Sequence, residues 1–198
     1  TGSKCTAIGY EALTTNTTGT DNTAVGYQAL RVNNAFNNVA VGDRSLSENT
    51  TGACNTAVGR YSLKDNSTGS HNTAVGYMAL DSNTTANENT ALGHWAMQAN
   101  TTGNYNVGVG NSALVSNSTG AQNVAIGFNA LEANTTANNN VAIGYFALDA
   151  NTTGTANVAM GTNAGLVIST GSNNVAIGLN AMKAQTTASN NVAVGYGA

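Results

Sequence analysis

An all-β repeat solenoid, with one coil per 17-residue repeat, is predicted by three observations. First, twelve copies of the motif Asn-(Thr/Val)-Ala-(Val/Ile)-Gly fill the chain. Their glycines fall at Gly9, Gly26, Gly42, Gly59, Gly76, Gly93, Gly110, Gly127, Gly144, Gly161, Gly178 and Gly195. Ten of the eleven spacings are 17, and only Gly26 to Gly42 is 16. So short and regular a period means stacked like coils rather than a globule built round a cleft. Second, the residues before each glycine are short, β-branched and alternate by size, which is strand patterning. Third, Gly, Asn and Thr recur too often for helices, and the apolar spacing holds no 3.6-residue period.

With the glycine as slot 0, each position of the coil has a character. Slot −4 is Asn in eleven of twelve copies, and slot −3 is Thr or Val. Slot −2 is Ala except at Gly108, and slot −1 is aliphatic or Met throughout. Slots −4 to −1 read as a strand. The glycine permits a bend that other residues resist. Slot +1 is often aromatic (Tyr10, Tyr27, Tyr77, Phe128, Tyr145, Tyr196). Slots +3 and +4, Ala or Ser and then Leu or Met, read as a second short extended piece. Asn-Thr-Thr-Gly from slot +7 supplies turn chemistry. Each coil is therefore expected to be two short strands joined by two bends.

Stacking places like residues on like. The expected core consists of two apolar ladders. One is slot −1: Ile8, Val25, Val41, Val58, Val75, Leu92, Val109, Ile126, Ile143, Met160, Ile177 and Val194. The other is slot +4: Leu13, Leu30, Leu46, Leu63, Leu80, Met97, Leu114, Leu131, Leu148 and Met182. Slot +4 of the tenth copy is Gly165, and Leu166 is expected to fill the gap. The slot −4 asparagines are expected to form a column of amides bonded along the stack and to bend backbone. One narrow coil cannot close over rows −3, −1, +1 and +4 together, so association of several chains is expected.

Composition narrows the function classes. Charged residues are 8% of the chain, against roughly 25% in an ordinary soluble protein. Six Lys and Arg and a net charge of −3 argue against a nucleic-acid surface. No apolar run approaches the length of a membrane span. Residues 1–198 are expected to be a single array of about twelve coils, cut at both ends from a longer fibre. Cys5 and Cys54 lie three coils apart, about 14 Å at the spacing of paired strands, too far for a disulfide.

The motif as it stands in Asn123-Val124-Ala125-Ile126-Gly127, Asn140-Val141-Ala142-Ile143-Gly144 and Asn174-Val175-Ala176-Ile177-Gly178 resembles the head repeats of trimeric autotransporter adhesins. The longer form Asn72-Thr73-Ala74-Val75-Gly76-Tyr77-Met78-Ala79-Leu80 is also similar to repeats of bacteriophage tail fibres and bacterial surface fibres. The resemblance covers the whole chain. It implies a left-handed parallel β-roll, three identical chains side by side, and an extracellular, cell-surface or virion setting with an adhesive role toward a host glycan or matrix surface. The repeat is longer here than in the adhesins, and no coiled-coil stalk, membrane anchor or chaperone domain is visible.

Catalysis finds no footing in the residues. His71 and His94 are single and occupy variable slots. Gly108-Val109-Gly110-Asn111-Ser112-Ala113 matches a loose dinucleotide fingerprint, but every sister repeat has Ala in place of Gly108. The nine acids are scattered and form neither a calcium loop nor a carboxylate pair. No cofactor or metal is expected. Slot +7 carries Asn16, Asn49, Asn66, Asn83, Asn100, Asn117, Asn134 and Asn151, each opening Asn-x-Thr. Two readings stand: N-glycan acceptors along an outward edge, or simply a good turn multiplied by duplication. Neighbouring Thr residues are further candidates for O-linked sugar. The Thr pairs (Thr17-Thr18, Thr50-Thr51, Thr84-Thr85, Thr101-Thr102) raise ice binding, with one Thr of each pair facing outward. The expected function is thus a non-catalytic fibre or filament segment with an adhesive or display role. The alternative is a glycan- or ice-binding solenoid.

Overall fold

The computed structural model describes residues 3–198. Twelve strands of three residues each cover slots −3 to −1 of every repeat. They are β1 (Thr6–Ile8), β2 (Thr23–Val25), β3 (Val39–Val41), β4 (Thr56–Val58), β5 (Thr73–Val75), β6 (Thr90–Leu92), β7 (Val107–Val109), β8 (Val124–Ile126), β9 (Val141–Ile143), β10 (Val158–Met160), β11 (Val175–Ile177) and β12 (Val192–Val194). They form one parallel sheet in chain order, a parallel β-solenoid. Pairing is slot for slot, as in Val124↔Val141, Ala125↔Ala142 and Ile126↔Ile143. The 16-residue repeat keeps that register, with Ala24 opposite Ala40. Its missing residue is absorbed in the turn, where Asn33 caps the carbonyl two residues on instead of the usual three.

The strand alternation decides which residues face inward. Successive side chains point to opposite faces of a sheet, so slot −2 and slots −3 and −1 cannot share a side. Slot −2 faces in, and Ala24, Ala40, Ala57, Ala74, Ala125 and Ala142 are fully buried. The expected inward ladder at slot −1 is therefore corrected. Ile8, Val75, Leu92, Ile126, Met160, Ile177 and Val194 are exposed, and Val25, Val41, Val58, Val109 and Ile143 are half-buried on the outer face. The coil is so narrow that only an alanine fits opposite the turn. Slot +4 faces in from the other side: Leu30, Leu46, Leu63, Leu80, Met97, Leu114, Leu131 and Leu148 are fully buried, Met182 is nearly so, and Leu13 is half-buried. Ala or Ser at slot +3 completes the interior, with Ser45 Oγ donating to the Ala57 carbonyl at 2.9 Å.

The second strand expected at slots +3 and +4 is not there; the sequence passes through turns instead. Three residues of the coil, at slots −5, +2 and +4, hold a left-handed backbone, as in His71 (φ 60), Met78 (φ 55) and Leu80 (φ 52). Such residues cost about 1–2 kcal/mol each outside glycine. They are held because each donates its N–H to a neighbouring coil. Arg44 bonds to the Tyr27 carbonyl at 2.8 Å, Leu46 to Ser62 at 2.9 Å and Cys54 to Phe36 at 3.1 Å. Some bonds reach back one coil and others forward, so the turn side is laced to its neighbours as the sheet is.

The motif glycine has a double reason. Its φ lies near 130–140°, as at Gly110 (φ 131) and Gly76 (φ 138). A Cβ on Gly110 would lie 2.5 Å from the carbonyl oxygen of Gly127, directly in the next coil. Neither the angle nor the space admits a side chain.

Candidate functional site

The Asn-x-Thr edge is an interior wall. Asn49, Asn66, Asn83, Asn100, Asn117, Asn134 and Asn151 are completely buried, and Asn16 is half-buried. From Asn49 on, each amide nitrogen donates to the side-chain oxygen of its counterpart one coil earlier, as from Asn66 to Asn49 at 2.8 Å and from Asn117 to Asn100 at 2.7 Å. The same nitrogen donates to the carbonyl three residues on, Gly69 for Asn66 and Gly120 for Asn117. The reading of these residues as N-glycan acceptors is corrected accordingly. A sugar would need the very nitrogen that closes the turn, in a space with no opening to solvent. Asn in this turn aims its short side chain back at its own backbone, and that direction is inward.

A second amide column stands at slot −4. Asn55 accepts the backbone N–H of Asn72 at 2.9 Å and donates to the Gly69 carbonyl at 2.8 Å. The slot −4 oxygens thus serve the backbone N–H at the strand start of the following coil, with amide-to-amide bonds added at Asn72, Asn123 and Asn174, whereas from Asn49 to Asn151 the slot +7 column bonds side chain to side chain at every coil. Periodicity alone does not distinguish these two jobs, because both columns are simply Asn.

Three features face outward. The first is the outer sheet face, two rows of Val, Ile, Leu, Met and Thr at slots −3 and −1. From first rung to last it runs about 53 Å at the spacing of paired strands. The second is the aromatic row at slot +1, exposed apart from the half-buried Tyr77 and stacked between coils: Tyr10 on Tyr27 at 5.5 Å, Tyr77 on His94 at 5.3 Å, Phe128 on Tyr145 at 5.3 Å. The third is the threonine edge. At slot +8 the hydroxyl donates to the next coil, as from Thr50 to the Ser67 carbonyl at 2.8 Å. At slot +9, Thr51, Thr68, Thr85, Thr102, Thr119 and Thr153 are exposed. Thr17 bonds Asn34 in the shortened turn.

Ionisable groups are sparse. Among the described residues, no three or more His, Cys, Asp and Glu gather where they could hold a metal ion. Cys5 and Cys54 are both free thiols. Among the described residues, no helix is long and apolar enough to cross a membrane. Burial pushes the Asp81 carboxyl up to about 6 against the pull of Lys64. Burial likewise pushes Asp149 up to about 6, with Glu132, one coil earlier, adding to the rise. Compared with known proteins, the chain matches no family model, and no curated protein or solved structure is similar to it. The likeness to adhesin heads therefore rests on the motif residues alone, and the fold supports the broader class of repetitive β-solenoid scaffolds.

Proposed function

We propose that this chain is a non-catalytic segment of an extracellular or virion fibre, built by lateral association of identical copies through the outer sheet face. One observation carries the reading: rows −3 and −1 form an unbroken, mostly apolar strip along the whole sheet. Ile126 is 39% exposed there and Ile177 36%, although both belong to strands inside the sheet, β8 and β11, paired on either side. Monomeric proteins rarely leave a long contiguous apolar strip in water. The strip is self-similar along the axis, so a second copy in register matches it rung for rung. Three copies is the number that the resemblance to adhesin heads implies. The cell-surface or virion setting and the adhesive role come from the same resemblance. The regularity of the array suits a rod that extends and displays.

Mass in solution tests this. Light scattering is expected to return a multiple of the chain mass at micromolar concentration. Val58→Lys with Ile126→Lys is expected to give a folded monomer, because both side chains point outward. A parent chain that is already monomeric overturns the reading.

A further inference from the structure

The charges that the chain does carry are gathered in one place. Four of its six basic residues, Arg31, Arg44, Arg60 and Lys64, fall in the second to fourth coils. On the turn side, away from the outer sheet face, the slots +2, +5 and +6 of coils two to five enclose a groove of about 550 Å³. Arg31, Arg44 and Lys64 line it together with Glu48, Tyr61 and Asp81.

Two features of this groove call for an occupant. Asp81 is only 7% exposed, yet its Oδ1 has no hydrogen-bond partner. A buried, unpaired carboxylate oxygen is costly unless a donor reaches it. Arg44 is held rigidly, with Nε donating to Gln28 Oε1 at 3.0 Å and Nη1 to the Tyr61 hydroxyl at 2.9 Å. Its guanidinium lies 5.4 Å from the Tyr27 ring centre and 5.8 Å from that of Tyr61. The contacts leave Nη2 with no acceptor among the described residues. A pre-set planar fork suits a carboxylate or sulfate.

We propose that this groove binds an acidic saccharide, a sugar unit bearing one carboxylate or sulfate. Arg31 is paired with Glu48 and Lys64 with Asp65, so Arg44 is the cation left to meet a single negative charge, whereas a polyphosphate would meet Glu48 and Asp81 as repulsion. The acidic group pairs with the Arg44 guanidinium. A sugar hydroxyl donates to the groove-facing carboxylate oxygen of Asp81, which a simple anion cannot do. Tyr61 offers an aromatic edge to the ring. The proposal goes beyond the fibre reading and does not need it, because the groove lies within one chain and shares no residue with the outer sheet face.

Calorimetric titration decides it, with tetrasaccharides of three kinds as probes: uronate-bearing, sulfated, and neutral. At least one acidic tetramer is expected to bind, about tenfold or more tighter than the neutral one, and comparison of the two acidic probes assigns the group. Arg44→Lys, which keeps the charge and loses the fork, is expected to weaken binding about tenfold. Asp81→Asn should weaken it too, while Lys183→Gln, remote from the groove, should leave it unchanged. A single cooperative melting transition shows that each variant folds. Equal affinity for acidic and neutral probes, no binding at about 10 mM ligand, or full affinity in a folded Arg44→Lys variant overturns the proposal. None of these outcomes bears on the mass in solution, so the two readings fail separately.

Discussion

The ninth and tenth coils occupy the same slots but fill their interiors differently. In the ninth, Leu148 at slot +4 is fully buried and Asn151 at slot +7 extends the amide column. In the tenth, slot +4 is Gly165, and Ile168 stands at slot +7, 1% exposed. Leu166, expected to fill the gap, is only half-buried. Ile168 fills it instead: a Cβ on Gly165 would sit 3.0 Å from Ile168 Cδ1 and 3.0 Å from Leu148 Cδ2. The exchange has a cost, because Asn151 Oδ1, the acceptor that slot +7 of the tenth coil should serve, is left unpaired. The coil therefore tolerates a broken amide column more readily than an empty core. Gly108 and Met97 make a milder trade of the same kind, the longer Met97 side chain lying 2.8 Å from where a Cβ on Gly108 would be.

Against either exchange, the motif glycine is expected to allow none. Gly110→Ala meets the Gly127 carbonyl at 2.5 Å and forces a non-glycine residue to φ 131. A loss of roughly 4 kcal/mol is expected, at the severe end for single substitutions. Because each coil touches only its neighbours, the damage should split the array. Hydrogen exchange is expected to show coils seven and eight losing protection before the distant coils. Uniform melting, or no change, would place the requirement for glycine elsewhere.

The trade in the tenth coil can be reversed one residue at a time. Ile168→Asn alone leaves the space beside Gly165 empty and should cost about 3 kcal/mol. Gly165→Leu alone crowds Ile168 and should cost about 2 kcal/mol. The double variant rebuilds the regular coil and restores a donor to Asn151 Oδ1. It is expected to come within about 1 kcal/mol of the parent, a strongly non-additive cycle. Additive losses by denaturant unfolding would mean that the two residues do not share the space.

How much of this was legible depends on the side of the coil. On the sheet side, spacing and β-branching located all twelve strands and their register. Spacing and β-branching do not fix direction there: large Val and Ile suggest the core and small Ala a spacer, and the fold reverses the two. Strand alternation separates the two sets, but does not say which faces in when the outer face is as apolar as the inner. On the turn side the Asn-Thr-Thr-Gly turn is visible in the sequence, but its pattern suggests outward asparagines where the fold buries them. The left-handed positions were invisible, because Tyr61, Trp95, Leu63 and Met78 adopt them where Gly or Asn would be expected. Bonds between coils hold them there, and no local preference encodes those bonds. The groove has no signature in the repeat, because its residues occupy variable slots, where the period says nothing.

The acids of variable slot +5 distinguish the two sides by pH. Asp81 and Asp149 titrate near 6 in the folded chain, above the unfolded value near 3.9. Between about pH 4 and 6 the native state therefore binds more protons than the unfolded chain, so stability falls as pH rises through that window. The melting temperature is expected to be lower at pH 7 than at pH 4, and Asp81→Asn to remove part of the slope. A melting temperature that rises over the same range would contradict the burial of these carboxyls.

The smallest effect expected lies at slot −5, where local preference and the neighbouring coil can be separated. Ala156 holds φ 56 there, while Asn37, Asn139, Asn173 and Asn190 hold the same conformation in other coils at 58–62°. Ala156 is exposed and its N–H donates to the Asn138 carbonyl at 3.1 Å. Asn visits the left-handed region more easily than Ala, so Ala156→Asn should stabilise the chain by about 0.5 kcal/mol. Ala156→Val, β-branched and poorly suited to positive φ, should cost about 1 kcal/mol or more. If both variants melt with the parent, the left-handed bend is imposed wholly by stacking and the residue there has no say in it.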